Sequence, residues 1–515
     1  MKRQIVNIIN FVRGCEPREE ADLYTPVAEQ IKLINKYGLP STFLLMYDTL
    51  CDDRFIEILE GRNEKTELGV WLEIVESQCG AAGVKWRGRP GFPWDYHANA
   101  GFTIAYGREE RERLIDVLFE KFRQRYGSYP RCVGSWAIDA YSFEYMAKKY
   151  DIDASCICRD QWGTDGYTLW GGYYNQAYYP CKNNMFCPAQ TADQQIDIPV
   201  FRMLGSDPIY QYDMGLDVNG AAAEWQGVAT LEPVYAGRDG GGNPDWVDWY
   251  LDENFSGRCI SFGYTQAGQE NSFGWPRMKD GLTYQIKKIA ELCKEGKIEA
   301  LTLSQAGAWY KENFSMTAPS VVSALTDRHE KNRFSVWYDC KNYRIDVFGE
   351  FDRFWIRDIF LFRQGYEERY LHSVNDSVSM NFDNLPFTDG NRCSGGGVRA
   401  GLYPFANGEA LTYVSLEYNE DDAGAAVTFK GTQIGDFTVS MKEDRVEFHA
   451  DGDFTLKNIS NPAADVTEKT LEGGTVRCKY RGFGYAVAVS AGHAADASTF
   501  ESENKKIILK MDEMK

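Results

Sequence analysis

A chain of 515 residues exceeds the roughly 250 to 300 at which a single core stops growing, so at least two domains are expected. A hydrophobic fraction of 43% with 25% charged residues excludes disorder. The net charge of −19 argues against nucleic acid and anionic membrane surfaces as partners and favours a neutral or cationic ligand.

Residues 1 to about 310 alternate short apolar runs with amphipathic helical stretches, the pattern of a parallel β/α architecture. Strands are expected at 5–12, 41–47, 67–74, 131–138, 154–159, 198–204, 259–265 and 300–305. Helices such as YTPVAEQIKLINKYG and REERERLIDVLFEKFRQRYG lie between them, closing on Gly38 and Gly127. A closed or nearly closed (β/α)7-type barrel over 1–315 is the expectation. Long connections rich in Gly, Trp and Tyr follow several strands, at 75–106, 160–197 and 206–257, and in a parallel barrel such loops build the active face. A helical linker is expected at 316–332. From 333 to 515, alternating residues between turn signals predict an all-β sandwich with no catalytic motif of its own.

The 13 Cys are scattered without a metal-ligand repeat and read as reduced thiols. Five His form no HxH or HxxxH pair, so neither a metal nor another cofactor is expected. The N-terminal apolar run is short for a signal sequence and is interrupted by Arg13 and Glu16, and no run reaches the length of a membrane span. A cytoplasmic location is the expectation, with homo-oligomerisation left open.

Carboxylates recur at the expected strand ends: Glu16 beside Arg13 after the first, Glu73 around the third, Asp139 after the fourth, Asp160 beside Gln161 after the fifth, Asp207 after the sixth and Glu270 after the seventh. Two carboxylates are the minimum for glycoside hydrolysis, one as nucleophile or base and one as proton donor. The alternatives are structural. Asp139 in VGSWAIDAYS is placed to cap the helix that follows, and spacing alone favours that role. Asp207 precedes Pro208 in a turn signal. Glu270, in GQENSFGW, has no evident structural duty. Trp71, Trp136, Trp170 and Trp275 are candidate rings to pack on a sugar, against the alternative of ordinary burial.

The strand LGVWLEI resembles the Gly-x-x-Glu strand of glycoside hydrolase family 57, and VGSWAIDAYSFEYMAKKYDI resembles that family's nucleophile segment. The stretch 25–71 also resembles the start of polysaccharide deacetylase barrels, in the same broad glycoside hydrolase/deacetylase superfamily. The resemblance implies a (β/α)7 barrel and puts Asp139, where family 57 has Glu, at the nucleophile position. Glu73 falls on the strand-three carboxylate, and Glu270 on the proton donor, without that family's neighbouring His. The family's opening His-x-His is replaced by NFVRGCEP. The His ligands of a metal-dependent deacetylase are absent from the matching segments, which leaves a carboxylate mechanism. The expected function is a glycoside hydrolase acting on a small glycoside or oligosaccharide. Asp139 and Glu270 are the expected reacting pair, with retention of configuration and Asp207 in reserve. Arg13, Glu16, Glu73, Asp160 and Gln161 are expected to fix hydroxyls. A deacetylase and a non-catalytic carbohydrate-binding protein are the alternatives.

Overall fold

The structure, a computed structural model, describes residues 2–164, 167–210, 229–237 and 239–512, without the side chains of 161–164. The N-terminal part is a curled sheet of parallel strands: β1 (Gln4–Val12), β2 (Ser41–Leu45), β3 (Thr66–Trp71), β4 (Cys132–Gly134), β5 (Ala154–Ile157), β6 (Val200–Arg202) and β7 (Gly263–Ala267). Their spatial order is β7-β1-β2-β3-β4-β5-β6. An eighth strand, β8 (Glu299–Leu301), pairs parallel with the first half of β1, whose second half pairs with β2. Every residue of β1 is buried, as expected of a strand with side chains packed on both faces of a parallel sheet.

The expected strand positions are occupied, but the expected barrel is not closed by a ladder: among the described residues no backbone pairing joins β6 to β7. The outer edge of β6 takes the short antiparallel strand Ala177–Tyr178 instead. At β7 the side-chain amides of Asn175 and Asn254 both donate to the Tyr264 carbonyl, at 3.1 Å each. Rings bridge the gap, with Phe201 5.0 Å from Tyr264. Side chains thus take the place of strand pairing at the seam.

The expected helix at 316–332 is not formed. Ser320–Ala324 is a buried strand in antiparallel register with Phe334–Asp339. Its two β-branched valines suit that pleat, and the preference outweighs the helix-like charges that follow. Beyond it lie two large antiparallel sheets that share one hydrophobic core, in which Phe354 of the first stacks on Phe429 of the second at 3.6 Å.

The two parts meet through both rings and charges. Trp170, Tyr174, Val322, Trp337 and Phe360 form one buried cluster. Beside it the fully buried Arg344 donates to Asp160 (2.9 Å), to the Gly172 carbonyl (3.0 Å) and to Asp358 (3.1 Å). Asp160 leaves β5 with φ +51°, a turn that points its carboxylate at the C-terminal sheet. Replacing Arg344 by Met would leave Asp160 and Asp358 buried without this cation. Urea unfolding of Arg344→Met is expected to show a loss of about 3–5 kcal/mol; a loss below about 1 kcal/mol would mean that the charged latch holds little.

Candidate active site

The chain leaves the parallel strands at one end of the sheet, and the loops there enclose a cavity of about 360 Å³. Its lining includes Arg13 after β1, Trp94 and Tyr96 after β3, Trp136 after β4, Glu232 after β6 and Glu270 after β7. This is the end at which parallel β/α folds place their reacting groups.

The end of β7 is stitched to the end of β1. Gly268 has φ +117°, and a Cβ there would lie 2.0 Å from the Ile9 carbonyl oxygen, so only glycine permits the approach. Asn10 accepts from the Gln269 amide at 3.1 Å. Asn271 accepts from the Arg13 amide (2.9 Å) and donates to the carbonyls of Arg13 (3.0 Å) and Leu23 (2.9 Å). These bonds fix Glu270 beside Arg13.

Arg13 is buried and held between two carboxylates. Its Nη1 lies 2.9 Å from Glu73, and its Nη2 and Nε lie 3.1 and 3.2 Å from Glu270. Its guanidinium is 3.9 Å from the Trp94 ring centre, and the Trp94 indole donates to Glu73 at 3.2 Å. Burial opposes the charge on Arg13, but Glu270 and Glu73 together raise its pKa above the usual arginine value. Burial pushes Glu73 up to about 7 against the pull of Arg13. Glu270 also accepts from the Ser272 hydroxyl.

Glu232 is held differently. It is 7% exposed and accepts from the Thr230 hydroxyl (2.9 Å) and the Gln269 side-chain amide (3.3 Å), both neutral donors. Burial raises it to about 7, and the nearby Glu270 charge adds to the rise. The cavity therefore pairs a carboxylate on an arginine with one that has no cation among the described residues, and burial favours the proton on the second.

The other candidates have different places. Trp136 lines the cavity, and Trp71 lies beneath it, fully buried and stacked on Phe11 at 3.9 Å. Glu16 holds Arg18 by two hydrogen bonds, of 2.8 and 2.7 Å. Asp139 does not share this cavity with Glu270: it caps the helix Ala140–Lys149, accepting from the Ser142 amide (2.9 Å) and hydroxyl (2.7 Å), from Thr103 and from buried Arg111 (2.8 Å). Asp207 accepts from the amides of Ile209 and Tyr210 at 2.9 Å and from the Trp246 indole at 3.0 Å. With their oxygens engaged by the protein, both carboxylates act as structural acceptors. Asp160 and Trp170 belong to the joint between the two parts, and Trp275 opens the helix Trp275–Lys294 away from the lining. The side chain of Gln161 lies outside the described residues.

Glu232 was not singled out from the sequence. It sits in ATLEPVYAG within a long loop after a strand, and that loop position is the one signal that could have raised it. Among the described residues no three His, Cys, Asp or Glu side chains are grouped to hold a metal ion.

No protein-family model matches the chain, and no curated protein matches it in sequence. Among solved structures, it is similar to a candidate glycoside hydrolase/deacetylase from Parabacteroides distasonis, at 14% identity and TM-score 0.52, over 75% of this chain and 90% of that one. It is also similar to a candidate polysaccharide deacetylase from Mycobacterium smegmatis (11% identity, TM-score 0.37, 61% and 92% coverage). A third is a family 57 branching enzyme from Thermococcus kodakaraensis (9% identity, TM-score 0.32, 61% and 71% coverage). The first likeness is one of fold.

A carboxyl whose folded pKa is raised from 4.5 to about 7 contributes stability that is fully present below about pH 4.5 and lost as the pH rises through about 7. Glu232→Gln removes that loss. Wild type and variant should have equal stability near pH 4, with the variant ahead by roughly 3 kcal/mol near pH 8. Urea titrations at the two pH values check this, and an equal gap at both would contradict it.

Proposed function

We propose that the chain is a glycoside hydrolase in which Glu270 and Glu232 are the reacting carboxylates. The observation that carries the reading is their shared cavity: one acid sits on Arg13 and the other has only neutral donors among the described residues, with the rings of Trp94, Tyr96 and Trp136 in the same lining. Glycosidic cleavage needs this asymmetry. A protonated carboxyl donates to the departing oxygen while an ionised one attacks the anomeric carbon or activates water on the opposite face. Glu232, raised to about 7, suits the donor. Glu270, oriented by Arg13 and Ser272, suits the nucleophile or base.

In this mechanism the sugar packs on the rings, and Glu232 gives its proton as the glycosidic bond breaks. Positive charge developing at the anomeric carbon meets the Glu270 carboxylate. Arg13, fixed by Glu73, keeps that carboxylate in place. The P. distasonis structure, named as a candidate glycoside hydrolase/deacetylase, supports a carbohydrate as substrate, and the choice of hydrolysis rests on the paired acids.

On a panel of aryl glycosides, Glu270→Gln and Glu232→Gln should each lower kcat/KM by about 10²- to 10⁴-fold, with kcat/KM of the wild type falling above pH 7 as Glu232 loses its proton. Full activity in either variant would remove that residue from the mechanism. Asp139→Asn should instead leave kcat/KM of the folded enzyme near the wild-type value, and a loss as deep as that of Glu270→Gln would return Asp139 to the site.

A further inference from the structure

A row of guanidinium groups and rings leads out of the cavity. From buried Arg13 it passes to Trp94 at 3.9 Å, and Arg18 lies 4.8 Å from that same ring and 5.5 Å from Tyr96. Arg89 lies 5.1 Å from Tyr96 and 4.0 Å from Phe92. Trp94 is buried, Tyr96, Arg89 and Phe92 are half-buried and Arg18 is exposed, so the row runs from the reacting carboxylates to the surface. Arg18, Trp94 and Tyr96 line the cavity itself.

Both outer arginines are held in place before any ligand arrives. Glu16 takes Nε and Nη2 of Arg18 at 2.8 and 2.7 Å. Asp95, 1% exposed, takes Nε and Nη2 of Arg89 at 2.9 Å each. Arg18 keeps Nη1 without a hydrogen-bond partner among the described residues. Such forks cost little further ordering when they bind, and the charge of each is already met by its own carboxylate. The strip therefore offers apolar ring faces and fixed N–H donors with little net charge to attract an anion.

Resting on the reading of the cavity as a sugar-hydrolysing site, we propose that this row is an extended binding strip for further units of a neutral oligosaccharide. Units outside the cavity pack their C–H faces on Tyr96 and Phe92, and their hydroxyls accept from Arg18 and Arg89. The substrate class is then an uncharged oligosaccharide longer than the cavity can hold, rather than a simple glycoside or an acidic polymer.

The test is chain length. Neutral oligosaccharides of two to five units, from gluco-, xylo- and chito-series, are assayed with wild type, Phe92→Ala and Tyr96→Leu, with circular dichroism to confirm folding. On the series cleaved, kcat/KM of the wild type should rise about tenfold or more from two to four units, and the ratio should fall toward one in the variants. Phe92→Ala decides the matter if Tyr96→Leu does not fold. A flat wild-type series, or a rise unchanged in Phe92→Ala, overturns the proposal, as does a preference for uronic-acid oligomers of the same length. If no series is cleaved, the hydrolase reading fails separately, and tryptophan fluorescence titration with the same sugars still decides this one. A Kd that tightens about tenfold with length in wild type and not in Phe92→Ala supports the strip. A Kd independent of length, or no binding, overturns it.

Discussion

The site depends on one buried cation. Arg13 at the end of β1 sits between Glu73 and Glu270 with the Trp94 ring against its face. A guanidinium out of water is costly unless its charge is met, and here it is met by carboxylates that follow β3 and β7. The same interaction therefore closes the end of the sheet and aims a carboxylate into the cavity. Gly268, Asn10 and Asn271 make it possible by bringing the chain after β7 against β1. A side chain at Gly268 would push Glu270 away from Arg13 even with every charged residue retained.

The fates of the carboxylates follow from their surroundings. Asp139 is surrounded by a helix amide, two hydroxyls and Arg111, and Asp207 by two amides and an indole. Each is a saturated acceptor that orders the chain around it. Among the described residues Glu232 has only a hydroxyl and an amide, and burial without a cation among them favours its proton. Glu73 faces Arg13 from behind Trp94 and fixes two cavity residues without lining the cavity itself. Asp139 and Asp207 thus shape the chain, Glu73 and Glu270 hold the cation, and Glu232 is left with neutral donors among the described residues.

The C-terminal sheets support the site from outside. Strand Tyr167–Leu169 pairs with Met380–Phe382, and the Tyr167 hydroxyl donates to the Tyr96 carbonyl at 2.8 Å. One wall of the cavity is thereby tied to the second part of the chain. Arg344 ties the joint itself at Asp160 through a fully buried charge contact. Such contacts tie the position of the wall to the docking of the C-terminal sheets.

The periodicity of the sequence determined the strands of the parallel sheet and the sheet-rich C-terminal part, because burial on one or both faces imposes a local pattern that side-chain alternation records. It also placed Arg13, Glu73, Trp136 and Glu270 at strand ends, and the stop glycines of two helices. It could not close the sheet, since the seam depends on Asn175 and Asn254 reaching the same carbonyl from distant positions. Nor could it separate Asp139 from Glu270, because a helix cap and a cavity-lining acid have the same local signature and differ only in what surrounds them. Glu232 was hidden for the same reason. Chain order brought the carboxylates to one end of the sheet, and tertiary packing alone decided which of them received a cation, which were buried beside neutral donors and which were consumed in holding the chain together.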